Sequence, residues 1–571
     1  MTAGRHRTAA HHGTRVRELP SGSLSHMAPF RRADMVARLE QESFDVLVIG
    51  GGIVGAGCAL DAASRGLRTA LVERDDFASG TSSKSSKLIH GGLRYLQQKE
   101  VGLVYEALAE RQILRHTAPH LVRTLPFLLP VFKGKDGLFD RRIARLVGTS
   151  MWMYDFTGGL RIGKLHKKIN TATAQRHVPT LRADRIAYGY IYYDARADDA
   201  RLTLAIARTA GQRGAAVVNR AVVRHLVKDP SGNCRGARVE IDGRDVEVRA
   251  SAVINATGVW ADEIRALDEG THPMSIRPAK GVHITVPWSR VRNDIAAVVP
   301  VPKDRRSVFV VPWGDLTYVG TTDTDYDGDV DDPQCTPADV RYLLSAINFS
   351  TDAELTESDV LGTWAGLRPL VKSAESERTA DMSRKAAINR SDAGVVTVTG
   401  GKLTTYRRMA ADAVDVVVDV LGHGGRSRTR SLVLQGGEGW SGSDTDDHLA
   451  SRYGSDAQRV RDLVAADSAL GAPLVAGLPY LRAEALYAVR EEMATTLDDV
   501  LARRTRARLL ARDATSDAAA SVAELIGAEL GWTDAERAAE VVDFRASIAH
   551  ELAATTTDIT VETALDTALG V

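Results

Sequence analysis

Apolar residues first gather without interruption at Val46, Leu47, Val48 and Ile49. Such a run is the pattern of a strand buried on both faces of a parallel sheet. Small residues (Ala56, Ala59, Ala62, Ala63) follow and predict a closely packed helix, and Thr69 to Val72 reads as a second buried strand. Val104, Leu108, Ile113 and Leu114 are spaced for one buried face of a later helix. Ala216–Asn219 and Ala252–Asn255 read as further buried strands. From 272 to 325 the alternation turns to β, with Lys280–Val286, Ser307–Pro312 and Leu316–Gly320 forming an antiparallel sheet inserted between parallel segments. A strand follows at Val395–Thr399. Residues 435–447 are glycine-rich and polar, a linker, and beyond them Ala, Arg, Glu and Leu recur at helical spacing, predicting a separate helical domain.

Composition adds exclusions. With 571 residues the chain has room for several domains, and 44% hydrophobic and 26% charged residues suit a soluble globular protein. A formal net charge of +0 provides no global field for nucleic acid or an acidic partner. The 3 cysteines (Cys58, Cys234, Cys335) show no CxxC spacing, so neither a disulfide framework nor a zinc site is indicated, which suits a reducing cytoplasm. No apolar run is long enough for a membrane-spanning helix. Residues 1–42 are basic and polar without a continuous apolar core, and read as a disordered extension rather than a secretory signal, with Met27 and Met35 as alternative starts. Asp323 to Asp329 imitates a calcium loop, but Gln334 stands where a bidentate Glu is required, so metal is rejected.

The chemistry begins where the first strand breaks into Gly50-x-Gly52-x-x-Gly55. Gly50 permits the tight turn, Gly52 lets backbone approach a pyrophosphate, and Gly55 lets helix pack on strand. The helix N-terminus then faces the anion with free N–H groups. Glu73 ends the second strand, where a carboxylate takes ribose hydroxyls, favouring a free 2′-hydroxyl (FAD or NAD) over NADP. Residues 78–96 crowd Ser, Thr and Gly with Lys84, Lys87, His90, Arg94 and Tyr95, the composition of a wall around a flat polar ring or of a polar linker. The turns at Asn255–Gly258 and Gly400–Thr404 again aim backbone at an anion or ring carbonyl. Residues 125–168 mix apolar, aromatic and basic residues, fitting either a membrane interface or core beside solvated charges.

These blocks together resemble the FAD-dependent, quinone-linked glycerol-3-phosphate dehydrogenases of bacterial aerobic and mitochondrial type. The resemblance is carried by Ser82–Leu96, Lys280–His283, Gly320–Asp325, Ala365–Leu370, Ser383–Lys385, Gly400–Arg407 and Glu491–Thr505. It implies an α/β fold: a glutathione-reductase-like FAD-binding domain, an inserted mixed β-sheet substrate domain and an α-helical C-terminal domain. The expected FAD-dependent oxidoreductase region is 43–430, with FAD-binding segments 43–125, 180–262 and 362–430 and substrate segments 126–179 and 263–361. A linker at 431–447 and the helical domain at 448–571 complete the division.

The same resemblance implies that FAD is held by Gly50, Gly52, Ile53, Gly55, Glu73, Arg74, Thr81, Ser82, Ser86, Lys87, Leu88, His90, Gly258, Trp260, Gly401, Lys402, Leu403 and Thr404. It implies oxidation of sn-glycerol 3-phosphate to dihydroxyacetone phosphate by hydride transfer from C2 to FAD N5, with electrons passing to a membrane quinone. Arg94, Tyr95, Arg384 and Lys402 are expected to bind substrate, since guanidinium and ammonium groups suit a phosphate dianion. His283 is the candidate base and Arg368 the alternative, as stabiliser of the developing alkoxide. The protein would lie in the cytoplasm, peripheral on the inner face of the membrane, docking through 125–160; homodimerisation stays open. An oxidase using oxygen and a non-catalytic FAD-binding sensor remain as alternatives. An amino-acid oxidase would leave the phosphate-suited cations without purpose, and an NAD-linked enzyme would need a second fingerprint.

Overall fold

A computed structural model describes residues 30–92, 101–133, 152, 163–304, 306–371, 386–440, 442 and 447–556. Two sheets and a helical layer carry the molecule. The first sheet runs Ala387–Arg390, Val396–Thr399, Arg244–Asn255, Ser43–Ile49, Thr69–Val72, Ala216–Val218. Its inner strands are parallel, as expected where helices cover the sheet and apolar runs are buried on both faces. Three helices (Ile53–Ser64, Asp199–Gln212 and Tyr406–Leu421) stack together beside it. Val46, Leu47 and Val48 are wholly buried in the core that results. The Ala221–Lys228 and Cys234–Ile241 strands pair antiparallel and extend this sheet from Arg244–Asn255.

The second sheet has ten strands among the described residues. Near one edge, Ile276–Pro287 pairs on one side with Leu316–Gly320 and on the other with Gly362–Val371, both antiparallel. A mixed α/β fold with an inserted mixed sheet and C-terminal helices is therefore present. The segment boundaries differ from those expected. Ile186–Arg196 and Gly362–Val371, assigned to FAD-binding segments, belong to the second sheet, where they pair with Arg123–Phe132 and Ile276–Pro287. Apolar runs announce a strand but not the sheet it joins.

Two other expectations are corrected. Within the stretch 1–42, Arg32–Gln41 is a helix burying Met35, Val36 and Leu39, and Phe30 packs its ring on Phe77 at 6.2 Å. The apolar residues recur at helical spacing, but the polar residues around them mask the pattern. Within the expected linker 431–447, Leu434 is buried in the main core and its N–H donates to the Thr117 carbonyl, so this part of the connection is packed.

The C-terminal helices include Arg482–Glu492, Arg512–Leu530 and Asp534–Thr556. They meet the rest of the chain through buried ion pairs rather than apolar packing alone. Asp76 accepts from Arg503 Nε and Arg504 Nη1, each at 2.6 Å. Arg201 binds Glu492 at 2.7 Å.

Candidate active site

The first strand delivers the chain into a glycine turn that only glycine satisfies. Gly50 has φ +106°, and a Cβ there would stand 2.7 Å from the Ala256 carbonyl oxygen. A Cβ on Gly55 would run into the Gly50 carbonyl, so helix and strand approach without a side chain between them. Ile53, first residue of the helix, donates its N–H to Ser82 Oγ at 2.9 Å. Glu73 closes the far side: its carboxylate accepts from Gly51 N at 2.5 Å and Asp75 N at 2.9 Å. Burial pushes its pKa up to about 7. Arg74 lies over the Trp260 indole, 4.3 Å from the ring centre.

Gly50, Ile53, Glu73, Arg74 and Trp260 line a cavity of about 330 Å³, together with Thr81, Ser82, Gly258, Gly401, Lys402 and Leu403. A second cavity of about 190 Å³ shares Ile53, Thr81, Ser82, Gly401, Lys402 and Leu403 with it. The two form one crevice, running from Glu73 to His283 and Arg368. Ser86, Leu88, His90 and Thr404 line the second part, and the His90 N–H donates to Thr404 Oγ1 at 3.2 Å, joining the two loops. A narrow, glycine-walled crevice with helix N–H groups at one end and a polar pocket at the other fits FAD.

At the inner end, register explains the geometry. Trp364 sits directly opposite His283 on one neighbouring strand and Gly320 opposite it on the other. The imidazole therefore stacks on the indole, centroids 4.7 Å apart and planes 7° apart, while it lies over the bare Gly320 backbone. Its Nε2 is 2.8 Å from Ser86 Oγ. Burial, then the charges of Lys87 and Arg368, hold its pKa well below the usual histidine value. Arg368 is oriented by Asp323 at 3.0 Å and by Thr321 Oγ1 at 3.2 Å.

Most expected site residues thus converge. Gly55 lines neither cavity and acts through packing. Lys87 also lines neither: its ammonium is buried against Asp199 and the Ser83 carbonyl, each 3.1 Å away. Its ammonium is thus engaged by protein groups, as a buried cation requires. Burial lowers its pKa to about 8. Arg94, Tyr95 and Arg384 lie outside the described residues. Sequence reasoning missed Gly281, Thr321 and Gly366 in the second cavity and Val222, Val223 and Arg224 in the first. Thr321 and Gly366 stand within blocks already singled out by their motifs; Val222 and Val223 carry no signal beyond an ordinary strand.

Comparison with known proteins agrees with this geometry. Residues 45–407 match the profile of FAD-dependent oxidoreductases, and residues 427–537 match the C-terminal domain of alpha-glycerophosphate oxidase. The class is therefore a FAD-dependent oxidoreductase, and FAD is its cofactor. Glycerol-3-phosphate dehydrogenase 2 of Mycobacterium bovis is 41% identical over 92% of each chain. The mitochondrial glycerol-3-phosphate dehydrogenase of Homo sapiens is 38% identical over 92% of this chain and 76% of its own. A crystal structure of the Bacillus halodurans glycerol-3-phosphate dehydrogenase complexed with FAD superimposes with a TM-score of 0.73, at 31% identity, covering 93% of this chain and 99% of that one. The chain belongs to the glycerol-3-phosphate dehydrogenase family.

Proposed function

We propose that this protein oxidises sn-glycerol 3-phosphate to dihydroxyacetone phosphate and passes the electrons to a membrane quinone. The observation that carries the reading is the pairing of an uncharged imidazole and an oriented guanidinium, His283 and Arg368, lining the same cavity at one end of the crevice. FAD, when bound, supplies the acceptor for the hydride leaving C2. His283 takes the C2 hydroxyl proton at Nε2, the nitrogen beside the cavity-lining Ser86 Oγ. Arg368 steadies the negative charge that grows on that oxygen. Lys402, on the wall common to both cavities, and Arg94, Tyr95 and Arg384 provide for the phosphate end.

Delivery to quinone requires approach to a membrane. No helix among the described residues is long and apolar enough to cross one. The docking stretch 125–160 is narrowed by its first part, because Leu125 and Phe127 to Leu129 are buried in the second sheet. Trp152 supports the remainder: it is 55% exposed and edge-on to His166 at 5.1 Å, which stands in sequence among exposed Leu165, Lys164, Lys167 and Lys168. An aromatic beside lysines suits an anionic lipid surface.

Anaerobic flavin absorbance on adding sn-glycerol 3-phosphate tests the reading. Bleaching reversed by a quinone analogue and only slowly by oxygen is expected. Fast reversal by oxygen makes the protein an oxidase, and an unchanged spectrum overturns the substrate assignment.

A further inference from the structure

The loop that meets His283 is held from the opposite side by a carboxylate the reaction does not touch. Asp199, first residue of the Asp199–Gln212 helix, is wholly buried. Its Oδ2 accepts from Ser85 N at 2.9 Å and Ser85 Oγ at 2.7 Å. Its Oδ1 accepts from Lys87 Nζ at 3.1 Å and from Arg506 Nη2. Ser85 Oγ in turn accepts the Lys87 N–H at 2.9 Å. Two further bonds fix the same loop: Trp364 Nε1 donates to the Ser85 carbonyl at 3.1 Å, and Tyr318 OH donates to the Ser86 carbonyl at 2.9 Å. Ser86, between these anchors, presents its hydroxyl to His283.

Arg506 comes from the helical C-terminal region and is 1% exposed. Its Nε binds Asp198 at 3.0 Å, so one guanidinium spans two adjacent carboxylates at the start of the helix. Arg503 and Arg504, which pair with Asp76, lie just before it. Arg506 is the member of this run that bonds Asp199, the carboxylate holding the loop beside the base.

We propose that Asp199 and Arg506 are positioning residues: the C-terminal region, through Arg506, fixes the Asp199 carboxylate that aligns Ser85–Lys87, and this alignment sets the Ser86–His283 contact. The inference rests on His283 acting as the base. It gives the C-terminal region a part in the chemistry beyond stabilising the fold. Small misplacements of a reacting group are costly, on the order of a hundredfold per ångström, and such groups keep their geometry only when their supports are themselves locked.

Asp199→Asn leaves two buried cations without their carboxylate and risks misfolding, so the test uses Ser85→Ala and Arg506→Lys in the full FAD-loaded chain. Expected is a fall in kcat of about tenfold or more, with KM within twofold and FAD content unchanged. Amide hydrogen exchange in Ser85–Leu88, followed by mass spectrometry with and without FAD, should quicken. The acidic limb of the kcat profile should move to higher pH, because a loosened loop admits water to His283. Wild-type kcat, pH profile and exchange in both variants overturn the inference. A His283→Gln protein that turns over within twofold of wild type overturns the base reading instead, while exchange in the loop still judges the positioning.

Discussion

His283 and Trp364 face each other across adjacent antiparallel strands with their rings nearly parallel, 4.7 Å apart. The indole removes water from one face of the imidazole, and the Lys87 ammonium lies 4.7 Å from the centre of the same indole. Both effects disfavour a second proton on His283. A base with a depressed pKa stays competent as pH falls through the ordinary histidine range. The rate of flavin bleaching by sn-glycerol 3-phosphate should therefore be flat from pH 8 down to about 6.5, with its acidic limb below that value. A limb centred at or above pH 6.5 in a stopped-flow pH profile would show that His283 is not the group being titrated.

Asp76 tests how the C-terminal region is attached. Its carboxylate is wholly buried and receives Arg503 Nε and both terminal nitrogens of Arg504. Those cations hold its pKa below the usual carboxylate range. Removing one partner of such a group strands the others, at about 3–5 kcal/mol. Arg503 keeps Asp498 and Asp499, and Arg504 keeps the Glu492 carbonyl, so Asp76→Ala should cost about 3 kcal/mol, the lower end of that range. Thermal unfolding of the holoenzyme would measure it. A loss below about 1 kcal/mol, the size of an exposed pair, would mean that the network is not what joins the regions.

The same arginines show where sequence stops being legible. Local patterns announced the Ser43–Ile49 strand, the glycine turn, Glu73 and the Gly400–Thr404 turn, because each needs only its neighbours in the chain. Motif blocks located His283 and Arg368 without saying that Trp364 would stack on one and Asp323 orient the other. Those partners are set by strand register, which apolar alternation leaves open. The Lys87–Asp199 pair is equally hidden from local pattern, because its two members stand 112 positions apart. The Arg32–Gln41 helix escaped notice because three buried residues in a basic stretch weigh little until the surface receiving them is known.

Gly401 probes the cofactor wall. It has φ +79°, and a Cβ there would collide with the Met409 sulfur, itself buried against the core. Alanine must both strain the backbone and displace a packed side chain, costing about 1–3 kcal/mol for the overpacking alone. Because Gly401 borders both cavities, Gly401→Ala should lose bound FAD before it loses the fold. Gly214 also has a positive φ, but open space surrounds its Cβ position, so Gly214→Ala is expected to cost about 1 kcal/mol from strain and to keep FAD. Equal FAD content in the two purified variants would remove the wall role.

Arg368 separates charge from shape. Its fork is held by Asp323, Thr321 Oγ1 and the Thr322 carbonyl, and it lines the second cavity with His283. Arg368→Met deletes the cation, and kcat/KM should drop by about 10²–10³, the size of losing one donor to a developing oxyanion. The charge also helps hold the His283 pKa down, so its removal should raise that pKa and shift the acidic limb to higher pH. Arg368→Lys keeps a charge but loses the planar fork that Asp323 and Thr321 grip. It should leave the limb near its wild-type position while still lowering kcat. The two variants therefore move different observables, and a Met variant with an unshifted limb would show that Arg368 and His283 do not share a field.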